Sequence, residues 1–211
     1  MMRVAVINEV SASLKNADIL RALEKAGGTE VFNVGMTCPD EKPELTYIQT
    51  GIMAGILLNE RKVDLVVGGC GTGQGFLNVA MQFPGVFCGL ITNPLDAWLF
   101  SQINAGNCIS LALNKGYGWA GDINLQYIFR EFLKDAPGSG YPPARSESQA
   151  QSRRMLADIS GVSHKDMHTI LRELDAGVLS PIASVGRFME LIRDTASAAL
   201  IRERTGGGVE P

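Results

Sequence analysis

The sequence predicts an α/β fold: a five-stranded parallel sheet in a Rossmann-like three-layer sandwich, plus a C-terminal helical extension. Three observations carry this. Short β-branched runs alternate with helical stretches over the first two thirds of the 211 residues, the pattern of repeated β-α units. The strand-like runs are apolar throughout, as in parallel strands covered on both faces. One strand–helix junction, Val63-Asp-Leu-Val-Val-Gly-Gly-Cys70-Gly-Thr-Gly-Gln-Gly75, is a glycine-rich turn of the kind found at the carboxyl edge of such sheets.

Taken in order, residues 3–7 (RVAVI) form the first strand. Residues 14–26 read as a helix with Leu14, Ala17, Leu20, Leu23 and Ala26 along one face, closed by Gly27 and Gly28. Residues 31–34 are the second strand, and 47–60 a helix bearing Ile48, Ile52, Ile56 and Leu57. The third strand covers 63–67, and the glycine turn leads into a helix over 76–82. Residues 86–91 are the fourth strand, and Pro94 opens a helix running to about Asn104. Residues 108–113 are the fifth strand, followed by a helix over 121–133. The composition changes at Ala136. Residues 1–136 are therefore the α/β unit, 137–145 a proline- and glycine-rich linker, 146–205 a helical extension and 206–211 a disordered tail. Within the extension, helices are expected over 146–159, 163–174 and 184–204, with Ser163 and Asp166 as a capping box.

Composition excludes several functions. A formal net charge of −3 argues against nucleic acid or an anionic membrane as partner. No apolar run approaches the ~20 residues needed to span a bilayer. The chain enters a strand within three residues, so no signal peptide is expected, and the protein reads as soluble and cytoplasmic. Cys38, Cys70, Cys88 and Cys108 form no C-x-x-C pair; Cys88 and Cys108 lie in apolar runs and read as core. His164 and His168 are four apart but lack a third ligand, so no metal and no cofactor is expected. The stretch 160–179 has a helix-turn-helix look, yet its mixed charges provide no basic recognition face.

Chemistry concentrates at the glycine turn. Glycine at 69, 71, 73 and 75 removes side chains where a ligand would approach backbone N–H groups, and a helix follows directly. The absence of a Lys-Ser/Thr pair after the turn excludes a P-loop, and the glycines follow the third strand rather than the first. A thiol at Cys70, facing such donors, suits proton transfer on a substrate that becomes an anion.

Cys70-Gly-Thr-Gly-Gln-Gly75, Gln82-Phe-Pro-Gly-Val86 and Asn104-Ala-Gly-Asn107 together resemble the ribose-5-phosphate isomerase B / galactose-6-phosphate isomerase family, with similar spacing over about residues 3–135. The resemblance implies aldose–ketose isomerisation of a sugar phosphate through a cis-enediolate. It assigns Cys70 as the base and Thr72 to the sugar hydroxyls or ring opening. Gly71, Gly73, Gln74 and Gly75 would form the substrate cradle, with Glu9 contacting substrate and Asn104 and Asn107 at substrate-contacting or loop-fixing positions. Lys115 and Arg145 would hold the phosphate. It further implies a homodimer or homotetramer whose active sites combine residues of two subunits. The departures are specific. Val10 and Ile103 stand where the family has histidines, for phosphate contact and ring opening respectively. Phe76 replaces an alternative glutamate base, and Gln149 an arginine, with Arg153 and Arg154 nearby as surface charge. Without the ring-opening group, an open-chain tetrose 4-phosphate is expected beside ribose 5-phosphate. A sugar-phosphate-binding or regulatory protein without catalysis is the other reading.

Overall fold

The computed structural model describes residues 1–206. Five parallel strands, β1 (Met2–Asn8), β2 (Thr29–Asn33), β3 (Leu65–Cys70), β4 (Cys88–Ile91) and β5 (Cys108–Ala112), pair in the order β2-β1-β3-β5-β4. Alternate residues of the inner strands enter two apolar clusters. Ala5, Ile7 and Val66 meet α2 (Tyr47–Asn59) and α3 (Gln74–Ala80) on one face. Val4, Val6 and Val67 meet α1 (Asn16–Ala26) and α5 (Gly121–Leu133) on the other. Burial on both faces is what made these strands read as unbroken apolar runs. β1 leads outward to β2, and the chain then returns to pair β3 on β1's other side. The carboxyl ends of β1 and β3 therefore flank a switch-point crevice.

Within the sheet unit, three expectations need correction. The first helix begins at Asn16, because Glu9 first caps a 3₁₀ turn over Val10–Lys15. That turn shifts the helical phase, so Ile19, Ala22 and Leu23 are buried while Leu14 is 71% exposed. β3 continues through Gly68 and Gly69 to Cys70, paired with Ile7 and Asn8 on one side and β5 on the other. A Cβ at Gly68 would lie well under 3.0 Å from the Phe76 ring, so this glycine serves packing. Cys88 is half-buried rather than core; Cys108, its partner in the β4–β5 ladder, is fully buried, which pushes its thiol well up.

α4 (Pro94–Leu99) runs on into a π-helical turn over Phe100–Asn104, matching the expected span. The extension holds five helices, not three: α6 (Ser146–Ser163), α7 (Met167–Glu173), α8 (Ala176–Ala183), α9 (Gly186–Leu191) and α10 (Ala196–Thr205). The Ser163–Asp166 capping box does not form. Ser163 is the last residue of α6, and Asp166 caps α7 by itself, accepting from Thr169 N at 2.9 Å. Thr195 caps α10, so the expected 184–204 helix is two helices. Met167, Leu171, Leu179, Ile182, Phe188, Ile192 and Ile201 pack into the cluster that contains α2. This covers a helix that is apolar all round. Gly206 closes α10 with φ 74°; the remainder of the expected tail lies outside the described residues. No helix of the described residues is long and apolar enough to cross a membrane.

Candidate active site

The site forms at the carboxyl ends of β1, β3 and β5. Cys70 ends β3 at 7% exposure, with Sγ 3.9 Å from Thr72 Oγ1. The ladder pairs Asn8 with Gly69, so the next residues, Glu9 and Cys70, leave the sheet side by side. Glu9 is 4% exposed, and its carboxylate accepts from Ser11 N at 3.1 Å and from Ser11 Oγ. Asn114 Nδ2 donates to Ser11 O at 3.0 Å, while Asn114 N and Lys115 N donate to Gly71 O at 3.0 and 2.8 Å. A Cβ built on Gly71 would stand 3.3 Å from Asn114 Nδ2 and 3.5 Å from Ser11 Oγ. Polar groups from two separate chain segments, at Ser11 and at Asn114–Lys115, thus close on the residue after the thiol. Gly75 lies under the Tyr47 ring, and Gly73, at φ 77°, donates its N–H to Cys70 O at 3.3 Å as α3 begins. Thr72 Oγ1 accepts from Gln74 N at 3.3 Å.

Thr72 and Lys115 share a cavity of about 240 Å³ with Thr92, Tyr117 and Asn124, over an apolar floor that includes Leu111 and Leu125. Burial, and then the Asp18 carboxylate that accepts its proton at 2.6 Å, raise the Tyr117 phenol above its ordinary range.

One chain brings Glu9, Cys70, Gly71, Thr72, Gln74 and Lys115 to this edge. Asn104, Asn107 and Arg145 are elsewhere. Asn104 and Asn107 precede β5 and so lie toward the amino edge of the sheet, a five-residue strand of roughly 16 Å away from its carboxyl end. Asn107 bridges Phe87 N (2.9 Å) and Gly85 O (2.8 Å), shaping the entry to β4. Asn104 lines a second cavity of about 200 Å³ with Phe87, Cys88, Leu156, Ile159 and His164. Arg145 precedes α6 and reaches Ser148 Oγ at 3.3 Å. Arg153 is not free surface charge: its guanidinium donates to Ile103 O (2.8 Å) and Gly138 O (3.0 Å). Gln149 holds both Tyr141 N (3.0 Å) and Tyr141 O (2.7 Å). Arg154 pairs with Glu147. His168 Nε2 donates to Glu60 at 3.0 Å, and among the described residues no group of three or more His, Cys, Asp or Glu gathers as a metal site.

Sequence reasoning missed Asn8, Ser11 and Asn114. Asn8 is fully buried, and neither of its side-chain polar atoms has a partner among the described residues. Such an amide costs about 1–3 kcal/mol if left unsatisfied. A polar residue closing an apolar strand, Asn8 after Val4–Ile7, was the available signal.

The model of the ribose/galactose isomerase family matches residues 4–154. The chain belongs to that family. Among solved structures, a ribose-5-phosphate isomerase from Vibrio parahaemolyticus is 41% identical with TM-score 0.89, covering 98% of each chain. A 4-deoxy-L-threo-5-hexosulose-uronate ketol-isomerase complexed with a tartrate is 37% identical with TM-score 0.90, also covering 98% of each. The type B ribose 5-phosphate isomerase of Trypanosoma brucei, 20% identical with TM-score 0.63, covers 75% of this chain and 99% of its own, and shares the fold. No curated protein matches. This ribose/galactose isomerase family member is a sugar isomerase with the parallel α/β sheet and the extra C-terminal helices that its sequence predicted.

Proposed function

We propose that this sugar isomerase interconverts an aldose and a ketose through a cis-enediolate, with Cys70 as the base. Cys70 takes the proton from the carbon next to the carbonyl and returns it to the neighbouring carbon. Glu9 and Thr72 hold the hydroxyls that exchange roles, and the turn at Gly71–Thr72 faces the developing oxyanion. One observation supports the reading: Cys70, the last residue of β3, and Glu9, just past the neighbouring β1, stand side by side at the sheet's carboxyl edge, next to a glycine whose Cβ would meet Ser11 and Asn114. Donors fixed in such a place contribute about 3–4 kcal/mol to a charged intermediate.

The substrate is an open-chain sugar with an anionic end, since Ile103 supplies no proton for ring opening. A tetrose 4-phosphate has no free O4 to close a furanose, which fits this better than ribose 5-phosphate. A second reading, a hexosulose uronate, is favoured by Arg153 and Gln149. Both are engaged with backbone atoms, so α6 lends little to a dianionic phosphate, whereas a carboxylate carries a single charge. The uronate ketol-isomerase likeness along the whole chain supports the same reading.

We further propose a homodimer with shared sites. Asn104 cannot serve the Cys70 of its own chain across the sheet, so its service to a substrate requires a second copy. Met155, Leu156, Ile159 and Val162 form an exposed apolar stripe on α6, and Leu156 and Ile159 also line the cavity at Asn104. Turnover of erythrose 4-phosphate, ribose 5-phosphate and the hexosulose uronate decides the substrate. Exchange of the C2 proton with solvent deuterium, lost in Cys70→Ala, tests the base. A binder without catalysis would exchange none, and full exchange in Cys70→Ala would remove Cys70 from the mechanism.

A further inference from the structure

We propose that Arg187, in the C-terminal extension, is a positioning residue for the isomerase reaction: through the 34–46 segment it fixes where Glu9 stands beside Cys70. The proposal rests on the site reading above. Arg187 lies in α9, 152 residues beyond Gly35, yet its Nη2 donates to Gly35 O at 2.9 Å and pairs with Glu41. Glu41 Oε2 accepts from Thr37 N (2.7 Å) and Thr37 Oγ1 (2.9 Å), so one carboxylate ties the 37–41 turn to the arginine. Partial burial opposes the Glu41 charge, but these hydrogen bonds and Arg187 outweigh it and hold the carboxyl below its ordinary range.

The same segment grips Glu9 from both sides. Met36 N donates to Asn8 O at 2.9 Å, and Leu45 O accepts from Val10 N at 2.9 Å. Leu45 N reaches back to Met36 Sδ at 3.2 Å, closing the segment on itself. Gly35 presses on β1 so closely that a Cβ there would fall within 3.0 Å of the backbone of Ile7 and Asn8. A displacement of Gly35 is therefore passed to Asn8 and Glu9 through backbone alone, with no side chain to absorb it. Arg187 touches neither substrate space nor Cys70; it acts on the path Gly35–Met36–Asn8–Glu9.

The test uses full-length Arg187→Ala and Arg187→Lys. Asp194→Asn serves as control, since it removes a different extension contact, the Lys62 pair at the far end of α2. Hydrogen–deuterium exchange needs no substrate. Arg187→Ala is expected to speed exchange about tenfold over both 34–46 and 8–12, and Asp194→Asn over neither. On whichever sugar the wild type turns over, Arg187→Ala lowers kcat/KM about 10–100-fold, mainly in kcat, as expected for misplacement of a reacting group by up to ~1 Å. Arg187→Lys recovers most of this, and the unfolding midpoint moves little. Unchanged exchange at 8–12, or wild-type kinetics in Arg187→Ala, overturns the proposal. Activity surviving in Cys70→Ala would instead sink the site reading, and the exchange result would still decide Arg187.

Discussion

Gly71 and Gly73 are two residues apart in one turn, and the structure assigns them opposite duties, which makes a paired alanine substitution decisive. Gly71 has no positive φ, and the Cβ of an alanine would meet Asn114 Nδ2 at 3.3 Å, Ser11 Oγ at 3.5 Å and Asn114 Cβ at 3.8 Å, ordinary or slightly tight contacts. The unfolded chain loses freedom worth about 0.4–1 kcal/mol, which offsets that tightness, so Gly71→Ala is expected to leave stability nearly unchanged. Gly73 sits at φ 77°, and its Cβ would lie 2.5 Å from Leu90 Cδ1 and 3.2 Å from Ala112 N. The left-handed backbone costs an alanine about 1–2 kcal/mol, and displacing Leu90 costs about 1–3 more. For a chain of this size, a loss of about 2–5 kcal/mol lowers the unfolding midpoint by roughly 4–20 °C. Function should divide the other way. A methyl at position 71 stands between Ser11 and Asn114, next to Cys70 in the chain, so on the proposed mechanism kcat/KM should fall on the order of 100-fold in a well-folded protein. Calorimetry on both variants, with steady-state kinetics on the same preparations, reads both effects. A Gly71→Ala enzyme with wild-type kcat/KM and an unchanged midpoint would refute the claim that substrate approaches there.

Glu60 ends α2 and accepts from His168 Nε2 (3.0 Å), Ser197 N (3.1 Å) and Ser197 Oγ, fastening α7 and α10 to the α/β unit. Burial opposes its charge, yet the Ser197 and His168 hydrogen bonds win and lower its pKa in the folded state. Its stabilisation is therefore fully present above the ordinary carboxylate range and is lost as pH falls through the lowered folded value. Melting curves should show Glu60→Gln less stable than wild type at pH 7, by about 1–3 kcal/mol, with the gap closing in acid; a constant gap would contradict this. Ile159 is 56% exposed on α6, so Ile159→Glu should leave the folded monomer's stability within about 0.5 kcal/mol while dissociating the dimer. Sedimentation velocity reads the change, and a wild-type monomer would remove the α6 interface.

The sheet was legible because parallel strands buried on both faces leave a mark that needs no partner information: Val4–Ile7 and Leu65–Val67 are apolar at every position. The end of β3 was not, because glycine there answers to a neighbour. Gly68 exists for the Phe76 ring, and nothing local in the sequence says so. At the candidate site, the placing of Cys70, Thr72 and Glu9 at one edge of the sheet was readable from the turn and the strand ends. Ser11 and Asn114 were not, since their meeting joins residues 103 apart and depends on β1 and β5 flanking β3. Arg153 read as surface charge because its carbonyl partners at Ile103 and Gly138 are set by the path of the linker. The segmentation of the extension was carried by signals available in the chain, the Asp175 and Thr195 caps, which periodicity alone overlooked.

The extension follows from the character of α2. Residues 50–57 of that helix are buried on every side, so a sheet sandwich alone would leave Ile and Leu side chains in water on its outer face. Leu171, Leu179, Ile182, Phe188 and Ile201 supply the missing cover, each burial stabilising by about 1.5–3 kcal/mol. Of the ion pairs that cross the same boundary, Arg187–Glu41 is partly open to water and contributes about 0.2–1 kcal/mol, and Lys62–Asp194 is more exposed still. Apolar contact therefore holds the extension in place, and the polar contacts decide its register. Arg187 meets Gly35 rather than open solvent only because Phe188, its neighbour in α9, is fixed in the α2 cluster. Core formation and the aim of Glu9 are in this way consequences of one packing event.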